Sequence, residues 1–129
     1  MTRTVLFGAL GFMLMASAAV ADDGSAGDPA KGAKIFRMCV ACHTIEKGAP
    51  NRIGPNLHGV VGRPIASVPG FNYSPALKKI EGVWDEEKLE AWLANPRQFA
   101  PGNRMAFAGV RRPEDRKDLI AYLKSMSED

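Results

Sequence analysis

The chain is poor in the residues from which most functional sites are built. Among its 129 residues there are two cysteines, two histidines and two tyrosines, and aromatic residues make up 8%. One cysteine pair excludes a disulfide-dense scaffold and a zinc site assembled from two such pairs. Charge of one sign is also lacking. The 17 basic and 14 acidic side chains leave a formal +3, too small an excess to imply a nucleic-acid partner. No internal repeat, low-complexity tract or convincing strand pair is present. Beyond residue 21 no apolar run approaches the roughly 20 residues that a membrane-spanning helix needs.

What is there begins with a leader. Arg3 is the one charge before Asp22, an apolar stretch runs from Val5 to Val20, and Ala19-Val20-Ala21 is a small-x-small cleavage signal ahead of Asp22-Asp23-Gly24. This is the layout of a secretory signal peptide over residues 1–21. The apolar stretch is short for a membrane anchor, so cleavage after Ala21 is expected, giving an exported, soluble chain with no permanent membrane insertion. Residues 22–27 read as a flexible start and residues 28–129 as one domain. Export places the thiols where disulfides persist. A Cys39–Cys42 bridge would close a tiny loop, however, and cross-link stabilisation grows with loop length, so a structural disulfide explains this pair poorly.

Three helices are legible. Asp28-Pro29 is a cap followed by proline at the first helical position, and Ala33, Phe36 and Val40 recur at helical spacing. This helix is expected to run straight into Cys39–His43. Gly32 inside it costs about 1 kcal/mol against alanine, which suggests another element packed closely there. A second helix starts at Asp85, with Glu86 and Glu87 suiting the positive end of its dipole, buries Leu89, Trp92 and Leu93, and ends at Asn95-Pro96. A short turn or helix to Gln98 follows. The last helix runs from about Pro113 to Met126, with Leu119, Tyr122, Leu123 and Met126 on one stripe. Residues 48–74 are rich in Gly and Pro and show no period. So long an irregular stretch suits a compact domain where it wraps something large and apolar. The charges are clustered: Asp85, Glu86, Glu87 and Glu90, then Arg97, Arg104, Arg111 and Arg112. Local steering of a charged partner and an ordinary solvated surface fit this pattern equally well.

Cys39-Val40-Ala41-Cys42-His43 is a C-x-x-C-H attachment signal for a c-type haem. Residues three apart on a helical turn share a face, with Cβ atoms about 5–6 Å apart. Two sulfurs can then reach the two vinyl groups of one porphyrin while His43 offers an imidazole nitrogen to iron. Such a group would also supply the core that this short, loop-rich chain lacks. A thiol–disulfide oxidoreductase carries C-x-x-C near a βαβ pattern, and no strands are visible. Zinc would need two further ligands, and His58 and carboxylates are all that remain. For the sixth iron position the candidates are His58, Met38, Met105 and Met126. Met38 adjoins Cys39, Met126 lies on a core stripe, and His58 sits close to the proximal side. Position along the chain favours Met105, with core packing as its alternative role.

Taken together, "GAKIF", "CVACHT", "GPNLHGVVGR", "FNYSPALK", Trp84, "NPRQFAPGNRMAFAGV" and "DLIAYLK" occur in an order and at spacings that resemble class I cytochrome c, of the mitochondrial type and its short alphaproteobacterial relatives. The resemblance covers essentially all of residues 28–126. It implies an all-α class I cytochrome c fold, with three main helices, short helical turns and long loops around one covalent haem c. It makes Cys39 and Cys42 the thioether cysteines, His43 and Met105 the axial iron ligands, and Pro55 the carbonyl acceptor for the imidazole of His43. Arg63, Tyr73 and Trp84 would hydrogen-bond the inner haem propionate. Phe107 would lie at the exposed haem edge, Gly32 and Phe36 would pack near Leu119 and Tyr122, and His58 would be structural.

The chain departs from the family's usual residues at Leu77 (for Asn), Trp92 (for Tyr), Asn103 (for Thr) and Met38 (for a rim Lys). It has one residue fewer between Phe36 and Cys39, and arginines replace several docking lysines. The function implied is a monomeric periplasmic one-electron carrier and not an enzyme. Its donor would be a cytochrome bc complex, and its acceptor a terminal oxidase or a photosynthetic reaction centre. Arg37, Arg97, Arg104, Arg111 and Arg112 would form the basic rim. The contrasting reading is a peroxidase-like or gas-binding protein with an open sixth position.

Overall fold

Asp28 begins the first helix by accepting the backbone N–H groups of Ala30 and Lys31 at 2.9 and 3.4 Å, while Pro29 occupies the position where a missing N–H is harmless. In the computed structural model, which describes Gly8, Gly11 and residues 26–128, α1 spans Pro29–Ile35 and tightens into one 3-10 turn, Phe36–Met38. The expected signal peptide and its cleavage site lie outside the described residues. The helix therefore stops short of the cysteines. The Cys39 N–H turns to Phe36 O at 2.8 Å, an i→i+3 bond that ends the α-helical ladder. Cys39–His43 is a separate turn, closed by the N–H groups of Cys42 and His43 on Cys39 O at 3.1 and 2.9 Å.

The remaining helices are α2 (Pro75–Lys78), α3 (Glu86–Ala94), α4 (Pro96–Phe99) and α5 (Pro113–Ser125). Three are capped by the residue the sequence offers: Ser74 to Leu77 N–H at 3.1 Å, Asp85 to Lys88 N–H at 2.7 Å and Asn95 to Gln98 N–H at 3.2 Å. The short α2 was not expected, although Ser74-Pro75 is a capping pair of the same kind as Asp28-Pro29. Residues 48–74 are irregular, as expected, apart from one isolated antiparallel bridge between Pro64 and Val83. The described residues contain no strand, so the class is all-α. None of their helices is long and apolar enough to cross a membrane.

α1 crosses α5 at Gly32, where an added Cβ would collide with the Asp118 carbonyl and lie 2.7 Å from Tyr122 Cβ. The Phe36 and Tyr122 rings meet beside it at 5.3 Å. Leu119 and Leu123 are buried as the stripe predicts, and Ile120, one position outside it, is buried too. α3 joins this pair through Leu89 and Leu93. Trp84, Trp92 and Phe99 pack as an aromatic cluster, with Trp84 and Phe99 stacked at 5.7 Å. The acidic cluster of α3 is largely spent inside the molecule: Asp85 on Lys88, Glu86 on Lys124 and Glu90 on Arg116.

Candidate functional site

The helices and the Gly/Pro-rich loop enclose a cavity of about 590 Å³. Cys39, Cys42 and His43 line it, as do Pro55 and Met105. Arg63, Tyr73 and Trp84 line it as well, so every residue expected at the site from sequence reaches one space. Of the other candidates for the sixth position, His58 and Met126 are not among the lining residues, whereas Met38 is, at the mouth and half exposed. The His58 ring faces away, with Nδ1 3.2 Å from Ile45 O. Leu77, Trp92 and Asn103, three departures from the resemblance, also line the cavity.

His43 is set by its neighbours. Its Nδ1 lies 2.7 Å from the Pro55 carbonyl. A carbonyl can only accept, so Nδ1 carries the proton and Nε2 keeps its lone pair. Burial pulls the imidazole pKa down, the Pro55 bond opposes this, and Arg63 adds to the fall. The lone pair is therefore available as a ligand. Gly54 lies against the ring, and a Cβ there would be 2.6 Å from Nδ1. This glycine was not singled out in the sequence, although its place in "GPN" directly before Pro55 was the available signal.

Burial, and then the neighbouring Cys42, push the Cys39 thiol up to about 11. Redox C-x-x-C pairs work the opposite way, through a thiol lowered toward neutrality, so Cys39 lacks the character of an attacking thiol. No group of three or more His, Cys, Asp or Glu able to hold a metal ion occurs among the described residues.

The polar lining is sparse and specific. Arg63 donates through one terminal nitrogen to Asn56 O at 3.0 Å and His58 O at 3.3 Å, while its Nε is buried without a partner. An orphaned N–H of this kind costs about 1–3 kcal/mol, which an anion accepting from Arg63 would recover. The Tyr73 hydroxyl accepts the Val68 N–H at 3.0 Å, leaving its own proton to donate. Two thiols, an imidazole lone pair, a thioether and unspent cationic and phenolic donors in an otherwise apolar hollow match a large flat ring bearing iron and carboxylates. The residues present fit haem c. Asn56 holds the surrounding loops together, with Nδ2 on Thr44 Oγ1 at 2.8 Å and on Glu46 O at 2.9 Å.

Comparison with known proteins points the same way. Residues 29–127 match the sequence profile of the family described as Cytochrome c. A cytochrome c of Ulva intestinalis is 46% identical over 103 residues, covering 79% of this chain and 93% of that one. A cytochrome c homolog of Rickettsia felis is 46% identical over 98 residues, covering 76% of this chain but 56% of that longer protein. Among solved structures, cytochrome cH from Methylobacterium extorquens superposes with a TM-score of 0.72 at 45% identity, over 77% of this chain and 99% of that one.

Proposed function

This chain belongs to the cytochrome c family of electron carriers, with one covalently attached haem c, and on that premise we propose that it is a periplasmic one-electron shuttle with His43 and Met105 as axial iron ligands. Bound haem c supplies an iron that takes up and releases one electron at a time. Cys39 and Cys42 hold the group through thioethers, so it stays with the protein between encounters. Pro55 fixes the His43 tautomer and so aims Nε2. Arg63, Tyr73 and Trp84 receive the inner propionate, and the buried side chains of α3 and α5 keep water out.

The observation that carries this reading is that His43 and Met105, 62 positions apart in sequence, line the same cavity. With both as ligands the iron would keep no open position, which would favour electron transfer over binding and activating a substrate. Export through the leader at residues 1–21 puts the shuttle in the periplasm. The donor is a cytochrome bc complex, and the acceptor a terminal oxidase or a photosynthetic reaction centre. Arg37, Arg97, Arg104 and Arg111 are exposed and steer acidic partners into brief, salt-sensitive encounters. Arg112 contributes less, because it is paired with Glu114 at 2.6 Å.

A redox titration with spectra in both states, together with carbon monoxide exposure, tests the reading. The native reduced protein should resist carbon monoxide, and Met105→Ala should keep its haem and bind the gas. Immediate binding by the native protein would favour an open-site sensor or enzyme instead.

A further inference from the structure

Met105 sits in a loop without regular structure, between α4 and α5, yet the loop is fastened two residues before it. The Asn103 carboxamide makes three of the four hydrogen bonds open to it. Its Nδ2 donates to Pro96 O at 2.9 Å and to Ala100 O at 3.0 Å, and its Oδ1 accepts the Met105 N–H at 2.9 Å. The Asn103 backbone N–H adds a bond to Ala100 O at 3.0 Å. These acceptors are well anchored, since Pro96 is the first residue of α4 and has one of the most buried side chains. Beyond Met105, the next firm anchor is the Val110 N–H on Leu93 O at 2.7 Å. A threonine, usual here in the resembling family, has one hydroxyl proton and cannot donate to both carbonyls at once.

We propose that Asn103 is the positioning residue for Met105: its carboxamide ties the Met105 backbone to α4, so that the folded chain already presents the thioether to the cavity. This rests on the reading of Met105 as an axial ligand. Any opening that carries the Met105 backbone away from α4 must break the bridge. An external ligand enters only in that open state, so its apparent affinity scales with the open fraction. Weakening the bridge should therefore tighten external-ligand binding without altering the iron site itself.

The test uses haem-loaded full chains: native, Asn103→Ala, Asn103→Thr and Met105→Ala. The ferric proteins are titrated with imidazole, following the shift of the main haem absorption band, which every variant has, and amide exchange at residue 105 is read by NMR in the native and Asn103 variants. Asn103→Ala should bind imidazole roughly tenfold more tightly than native, by raising the open fraction, with Asn103→Thr in between. Exchange at the Met105 N–H should quicken in the same order. A merely structural role would lower the melting temperature and leave imidazole affinity at the native value. That result, with native exchange at Met105, overturns the proposal. If native and Met105→Ala bind imidazole equally, the axial reading falls first and the proposal with it. Should Asn103→Ala not hold haem, native against Asn103→Thr decides.

Discussion

Arg116 of α5 reaches two elements at once: its Nε donates to Glu90 of α3, and one terminal nitrogen donates to Val110 O at 2.8 Å and Arg111 O at 3.0 Å. Its side chain is 12% exposed, so these bonds form largely away from water. It thereby holds the far end of the Met105 loop against the helices.

Arg116→Ala should lower stability by about 2 kcal/mol, the scale of losing hydrogen bonds to a charged group. Arg116→Lys keeps the charge but cannot serve Glu90 and two carbonyls with one ammonium, so it should fall between. Urea unfolding of the three holoproteins measures this. Equal midpoints for native and Arg116→Ala would show that the clamp carries no weight.

Gly32→Ala separates local propensity from packing. In an isolated helix the change gains about 1 kcal/mol. Here the new methyl would collide with the Asp118 carbonyl and approach Tyr122 Cβ, so α1 must move off α5. Overpacking of this kind costs about 1–3 kcal/mol. The expected sign is destabilisation, read as a lower urea midpoint, and a stabilised variant would mean the crossing is looser than described.

Arg63→Leu should lower the reduction potential. On the proposed contact with the inner propionate, the variant removes a positive group whose N–H is buried and unpartnered, so the propionate would be less neutralised and the oxidised state favoured. A fall on the order of 50 mV corresponds to about a tenfold change in a one-electron equilibrium. Potentiometry on native and variant holoproteins checks the direction, and an unchanged or higher potential would separate Arg63 from the haem.

Much of the site was legible because its chemistry is local. Cys39, Cys42 and His43 lie within one turn, and their spacing is a haem-attachment signal that the lack of strands and of further metal ligands separates from a redox or zinc pair. The starts at Asp28 and Asp85 were equally readable, since each caps neighbours two or three residues away, whereas the cap at Ser74 ahead of α2 was missed. Less was visible where distant parts compete. The end of α1 before Cys39 follows from a switch to i→i+3 bonding, which apolar spacing does not encode. Ile120 is buried by the aggregate of helices and loops and not by one stripe. The acidic cluster on α3 fitted partner steering and an ordinary solvated surface equally well until α5 supplied Lys124 and Arg116.

The sequence by itself determined that two thioether cysteines and a histidine could hold a haem, where the three main helices begin, and that the long Gly/Pro loop needed something apolar to wrap. Those properties depend on atoms a few bonds apart. Only the tertiary structure decided that Met105 lines the His43 cavity while His58 and Met126 do not. It likewise decided that Arg63 keeps an unpaired N–H, and that Asn103 spans from Met105 to α4. Each is a contact between segments that the chain brings together only by folding, so no local spacing could specify it.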